Sequence, residues 1–302
     1  MTRFINFTLL SLASAVAATP LSRDANDGVR LAVNPKCGAT DLVAGLPSLD
    51  TFKNIVTFGD SFTDAGVHNG SAPAPAVLVP PNPKAGGRMT NGPVWAEYLA
   101  SDIGATLFPY AVSNSVTSKQ LFPSFNGSDF QGQTQTFFSQ RRGLDPSSTL
   151  YTVFFGIQDD ELNNSTSYAQ GAVAGIAYDI ETLASPPTNA KNFLIVTATG
   201  LGSMSPGAAE FQSNLFNTAK NMNAELGYNV AVADLNNIWM AVLGGEYGEF
   251  GYVSDGACTV NAQTTAGACS DPAHTFYWIP GNPSTQTHRI MADYVEEVVS
   301  QC

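Results

Sequence analysis

Residues 55–66 read IVTFGDSFTDAG. The β-branched and aromatic run Ile55, Val56, Thr57 and Phe58 suits a buried strand, and Gly59 ends it. Asp60, Ser61 and the polar residues after them begin a new element, so Ser61 is predicted on a strand-to-helix turn. In an α/β sheet the carboxyl ends of the strands open onto a crevice lined by helix N-termini, and a side chain on such a turn faces a ligand. Asp60 and Ser61 would serve equally well as caps of the next helix. The stretch alone leaves both possibilities open.

Outward from this stretch the chain alternates strand with helix. Apolar, β-rich runs predict strands at 53–58, 106–112, 150–155, 193–199 and 230–235. Helical spacing predicts a helix after Pro93, a helical piece near 134–141, and helices over 171–184, 208–226 and 285–299. Such alternation implies parallel strands with helices on both faces. The stripe Ile290, Met291, Tyr294, Val295 and Val298 is core packing for the last helix. The Pro/Gly-rich segment 70–92 is a long loop, of the kind that serves as a lid or a bare excursion.

A chain of 302 residues with evenly spread elements is read as one domain over 51–302. Residues 19–50, polar and broken by prolines, form a leader expected to pack over the domain surface without contributing a core element. Residues 1–18 carry Arg3, a short apolar stretch and Ala-Val-Ala-Ala, the pattern of a secretory signal, too short for a membrane anchor at ~20 apolar residues. The protein is therefore expected to be secreted. A net charge of −12 with only 13 Lys plus Arg argues against nucleic acid or an anionic membrane as partner. Four cysteines allow three pairings; Cys258 with Cys269 and Cys37 with Cys302 are favoured. Scattered cysteines and three histidines suit no metal site, and no cofactor is expected. Asn69, Asn126, Asn163 and Asn164 lie in glycan sequons.

FGDSFTDAG resembles the first block of the GDSL esterases and lipases, also called SGNH hydrolases. Three further stretches resemble that family in the same order: GRMTNGPVWAEYLA (87–100), YTVFFGIQDDE (151–161) and FYWIPGNPSTQTHRIMADYV (276–295). The resemblance implies a three-layer α/β/α sandwich on a flavodoxin-like parallel sheet, with Ser61 as nucleophile. It also implies an oxyanion hole formed by Ser61, Asn114 and Gln158. Asn114 and Gln158 stand where the family has glycine and asparagine, substitutions that keep a backbone N–H and an amide donor. In the last block the family's aspartate and histidine positions hold Ile279 and Asn282, neither of which can orient or act as a base at neutral pH. Removing the base of a serine triad costs on the order of a million-fold in turnover.

Of the histidines, His274 follows Asp271 at the Asp-x-x-His spacing and is the first candidate for a substitute base. His288 matches a structural histidine of the family's last helix, and His68 is expected to decorate the loop after the nucleophile helix. The expected function is a secreted, monomeric ester hydrolase with impaired catalysis, acting on acetylated carbohydrate or short-chain esters. The alternative is a non-catalytic relative that binds a carbohydrate or another small ligand, with Trp95, Tyr277 and Trp278 available for aromatic contact.

Overall fold

A computed structural model describes residues 28–302; the signal segment and the first residues of the leader lie outside the described residues. Six strands form the central sheet: β1 (Leu42–Ala44), β2 (Asn54–Gly59), β3 (Thr106–Pro109), β4 (Thr149–Phe154), β5 (Asn192–Thr197) and β6 (Asn229–Asp234). Their spatial order is β1-β6-β5-β4-β2-β3, and every pair is parallel except β1 on β6. Seven α-helices accompany them among the described residues: α1 (Trp95–Asp102), α2 (Phe130–Ser139), α3 (Ile157–Leu162), α4 (Thr166–Ala184), α5 (Pro206–Leu226), α6 (Asn236–Ala241) and α7 (Thr285–Gln301).

Strands buried on both faces must be apolar at consecutive positions, and here successive residues feed opposite layers. Ile55, Leu150, Leu194 and Ala231 pack with Trp95, Leu99, Ile290 and Val295, on the side of α1 and α7. Val56, Tyr151, Ile195 and Val232 pack with Phe130, Val173, Ile176 and Leu215, on the side of α2, α4 and α5. The result is the α/β/α sandwich expected from the sequence. The parallel strands reverse their order between β2 and β4, the switch point where such sheets open a crevice at their carboxyl ends. Gly59 and Phe154 end those two strands side by side.

Four departures from the sequence expectations have physical causes. The leader does enter the fold: β1 extends the sheet edge, and Asp41 just before it is fully buried. Asp41 accepts hydrogen bonds from the Lys36 and Asp234 main chains and from the Tyr294 hydroxyl, each at 2.7 Å, tying leader, β6 and α7 together. Residues 53–58 and 106–112 become Asn54–Gly59 and Thr106–Pro109; regular pairing of β3 ends with Thr57 opposite Pro109, although Tyr110 and Val112 still donate to the Thr57 and Gly59 carbonyls. The predicted helix starts at 171 and 134 move to Thr166 and Phe130: the first turn of α4 is exposed and polar and carries no apolar period, while α2 starts early because Asp129 caps it, accepting from the Gly132 N–H, and Phe130 is buried in the core. A second small sheet, β7 (Ser254–Ala257), β8 (Thr275–Ile279) and β9 (Asn282–Pro283), forms around the apolar run of β8, whose partners SDGA and NP are too short and polar to announce themselves. Both favoured disulfides are present, Cys258–Cys269 beside this sheet and Cys37–Cys302 across the chain's ends.

Candidate active site

Ser61 lies just past the end of β2, and the chain there makes one tight turn instead of the predicted helix. Asp60 O accepts from the Thr63 and Asp64 main chains at 3.1 and 3.0 Å, and no further helical bond follows. The turn is that tight because Gly59 has no side chain: a Cβ there would stand 2.8 Å from the Phe154 carbonyl of the neighbouring strand. Gln133 of α2 grips Gly59 from the side, accepting from its N–H at 2.9 Å and donating to its carbonyl at 2.8 Å. The end of β2 is therefore fixed before the chain reaches Ser61.

The segment after β3 supplies the second wall. Three of its residues are tied to three different elements: Ser113 to Asp64, Ser115 to Gln133 and Thr117 to Asp159. Between the first two ties, Asn114 adopts a left-handed backbone (φ 60°), which asparagine tolerates better than most residues. In that conformation its N–H donates to Ser61 Oγ at 2.9 Å, and its Oδ1 accepts from the Ser61 hydroxyl at 3.2 Å.

Helix α3, at the end of β4, brings Gln158 and Glu161. They stand three residues apart and so on one helical face, and Gln158 Nε2 donates to Glu161 Oε2 at 3.2 Å. The fourth wall is the turn of the β8–β9 hairpin, where Pro280 and Gly281 (φ 75°) reverse the chain between the paired residues Ile279 and Asn282. Asp60, Ser61, Asn114, Gln158, Glu161 and Asn282 together line a cavity of about 220 Å³.

The carboxyls around this cavity are unusual. Asp60 is buried, one oxygen accepting from the Phe62 N–H at 3.0 Å and the other without a partner. Burial, with the charges of Asp159 and Glu161 adding, pushes it up to about 8, so at neutral pH it is mostly the neutral acid. Burial also raises Glu161. Among the described residues, no group of three or more His, Cys, Asp or Glu side chains is placed to hold a metal ion.

With this geometry in place, comparison with known proteins is decisive. The sequence profile of the GDSL-like lipase/acylhydrolase family matches residues 55–295, most of the chain. The chain belongs to that family. It is 30% identical over 128 residues to an acetylesterase of Hypocrea jecorina, covering 36% of each protein. It is 25% identical over 278 residues to the thermolabile hemolysin of Vibrio parahaemolyticus serotype O3:K6, covering 82% of this chain and 64% of the hemolysin. The chain thus spans less than two thirds of either relative. A crystal structure of a lipolytic G-D-S-L family member from Veillonella parvula covers 82% of this chain and 99% of its own, with 16% identity and a TM-score of 0.45.

In this GDSL family member Ser61 stands at the carboxyl end of the central strand β2, and no histidine lines its cavity. His274 is not in the Ser61 cavity, which corrects its candidacy as substitute base. It precedes β8, whose far end leads to the hairpin turn, so a strand of about 3.3 Å per residue sets it roughly 16 Å from Ile279. There it meets both oxygens of Asp271 at 2.9 Å. His288 is fully buried, its Nδ1 accepting from the Trp95 N–H at 3.3 Å, and burial lowers it to about 3, so it is neutral. His68 bonds Asp64 at 2.9 Å, and that bond raises its pKa. It sits on an open loop, since the expected helix is absent.

Ile279 also departs from expectation. It is 2% exposed and packs with Cys258 and Trp278, outside the cavity that Asn282 lines. The aromatic contact expected from Trp95 and Trp278 does not arise either, as both are buried in the core. Sequence reasoning missed Glu161 and the hairpin turn at Pro280 and Gly281. The i, i+3 spacing of Gln158 and Glu161 was the signal for the first; Pro-Gly, a turn dipeptide, was the signal for the second.

Proposed function

We propose that the Ser61 cavity binds a small ester, an acylated carbohydrate or a short-chain ester, and hydrolyses it with severely reduced turnover. One observation carries this: the Ser61 hydroxyl donates to the Asn114 amide oxygen, and no imidazole lines the cavity. An amide oxygen accepts a hydrogen bond but does not take the proton away. The nucleophile is thus positioned without being activated.

What remains is the acyl-binding half of the machinery. The Asn114 N–H approaches the Ser61 oxygen and can turn to an oxyanion formed beside it, and Gln158 offers a second amide. Such a site without its base retains on the order of 10³ to 10⁴ over water. A cavity of about 220 Å³ accommodates a short acyl group with part of its alcohol. The acetylesterase relative supports the ester class. Secretion is proposed with it, supported by two disulfides, bonds that persist in oxidising compartments.

A second reading, binding without turnover, is favoured by the lining itself, in which Asn114, Gln158 and Asn282 present amides suited to sugar hydroxyls. Turnover of 4-nitrophenyl acetate by wild type and Ser61→Ala separates the two. A slow rate that Ser61→Ala abolishes supports the hydrolase. Equal rates overturn it, and binding of an acetylated oligosaccharide, weakened by Asn282→Trp, then tests the binder.

A further inference from the structure

A second cleft of about 470 Å³ lies away from Ser61, between α4, the start of α2 and the segment following Thr117. One face of α4 forms its floor. Gly171, Gly175, Tyr178 and Asp179 fall at i, i+4, i+7 and i+8 and so share that face. Gly175 leaves room above the helix, since a Cβ there would meet only Ser118 at 3.6 Å. Gln120 and Gln131 stand exposed at the rim, and Tyr178 is 62% exposed beside them.

The decisive residue is Asp179. It is only 4% exposed, and among the described residues its carboxyl makes no hydrogen bond and no ion pair, yet it lines the cleft. Its carboxyl borders the cleft, where a hydroxyl of a bound molecule can supply the hydrogen bonds the protein does not. Two other buried carboxyls differ from it: Asp129 accepts from the Lys119 and Gly132 main chains, and Asp159 from Thr117. Burial, with the charge of Asp129 adding, pushes Asp179 up to about 7. Near neutrality it can donate or accept, as a neighbouring hydroxyl requires.

We propose that this cleft is a saccharide-binding site, in which Asp179 bonds ring hydroxyls, Gln120 and Gln131 bond further hydroxyls, and Tyr178 lies against a sugar face. The lining chooses the ligand class. The lining has one carboxyl and no basic side chain, which disfavours phosphate and other anions, and hydroxyl, amide and carboxyl groups suit a polyol better than an acyl chain. Exposed aromatic rings with one polar end are suited to half-wet ligands of this kind. Ser118 follows Asn114 by four residues, so no more than about 14 Å of chain separates this cleft from the Ser61 cavity.

The test is binding of xylohexaose, a neutral oligosaccharide, to the full chain by calorimetry and ligand-observed NMR, with spermidine as a cationic control. Gly175→Leu fills the cleft while favouring the helix, and Tyr178→Ala removes the rim ring without touching the core. Each is expected to weaken xylohexaose at least tenfold with an unchanged melting temperature, while Asn282→Trp, in the Ser61 cavity, leaves that binding event in place. Unaltered binding by Gly175→Leu, no binding to wild type, or binding of spermidine in place of xylohexaose overturns the proposal.

Discussion

The Asp64 carboxylate accepts from both the N–H and the hydroxyl of Ser113, at 2.8 and 2.7 Å, and Ser113 directly precedes the residue that hydrogen-bonds Ser61. The other carboxylate oxygen accepts from the Gly66 N–H at 2.8 Å and meets His68 at 2.9 Å. Burial alone would raise Asp64, but the hydrogen bonds from His68 and Ser113 outweigh it and hold its pKa below the usual carboxylate value. The second aspartate of FGDSFTDAG thus acts as a clamp between the Ser61 turn and the Asn114 segment.

Replacing Asp64 by Asn puts an N–H₂ where two donors converge or removes the partner of His68. A hydrogen bond to a charged group contributes about 1.5 to 3 kcal/mol, so Asp64→Asn is expected to lower stability by about 2 kcal/mol in urea unfolding. It should also lower any Ser61-dependent esterase rate, because Asn114 loses its anchor. A variant with wild-type stability would show that the clamp is not needed.

Asn282→His is expected to raise ester turnover. It places an imidazole in the Ser61 cavity, and a positioned general base contributes typically about 10² to 10⁴. The lower end, about a hundredfold, is expected because no carboxylate sits at 279 to orient the ring. Adding Ile279→Asp should not help: it buries a carboxylate among Trp278 and Cys258 and costs at least about 3 kcal/mol. Turnover of 4-nitrophenyl acetate and the melting temperature of the single and double variants check both statements.

Stability should fall on the alkaline side of neutrality. Burial raises Asp60 to about 8 and Asp179 and Asp234 to about 7, far above the ordinary carboxyl value they take in the unfolded chain. Each holds its proton more tightly folded than unfolded, so the fold loses stability relative to the unfolded chain as pH rises from about 4 through these values. His288 works oppositely, lowered to about 3, so its contribution is complete above its unfolded value near 6.5 and is lost as pH falls from there. Between pH 6.5 and 8 only the carboxyls of this set act. The melting temperature should decline across that window, and Asp179→Asn should flatten the decline.

The two disulfides should differ in weight. Cys258–Cys269 closes a separation of 11 residues and Cys37–Cys302 one of 265. Loop-closure entropy assigns about 3 kcal/mol to the first and about 5 to 6 to the second. The long closure also holds the leader, and with it Asp41, against α7. Cys37→Ser with Cys302→Ser is therefore expected to cost more stability in calorimetry than the corresponding double change at 258 and 269.

Much of this architecture was legible because strand and helix alternate with clear periods. Ile55 to Phe58, Leu150 to Phe155 and Phe193 to Thr199 are apolar or threonine at consecutive positions, as suits strands covered on both faces. The leader was misjudged because its part in the fold rests on one polar residue: Asp41 is welcome inside only because main-chain donors and Tyr294 from distant segments meet it there. The helix expected after Ser61 failed for a similar reason, as Gly59 and Asp64 hold the turn to partners more than 40 residues away.

The sequence by itself determined the layered sheet and the position of Ser61 at a strand's carboxyl end, since each is written in local period or in residue type. Only the tertiary structure decided which groups share the cavity. It brought Glu161 and the Pro280–Gly281 turn to Ser61, took His274 to the other end of a strand and turned Ile279 into the core. Periodicity reports which face of an element is buried; which side chains meet across a crevice depends on register, turns and long-range hydrogen bonds, and these exist only once the chain has closed on itself.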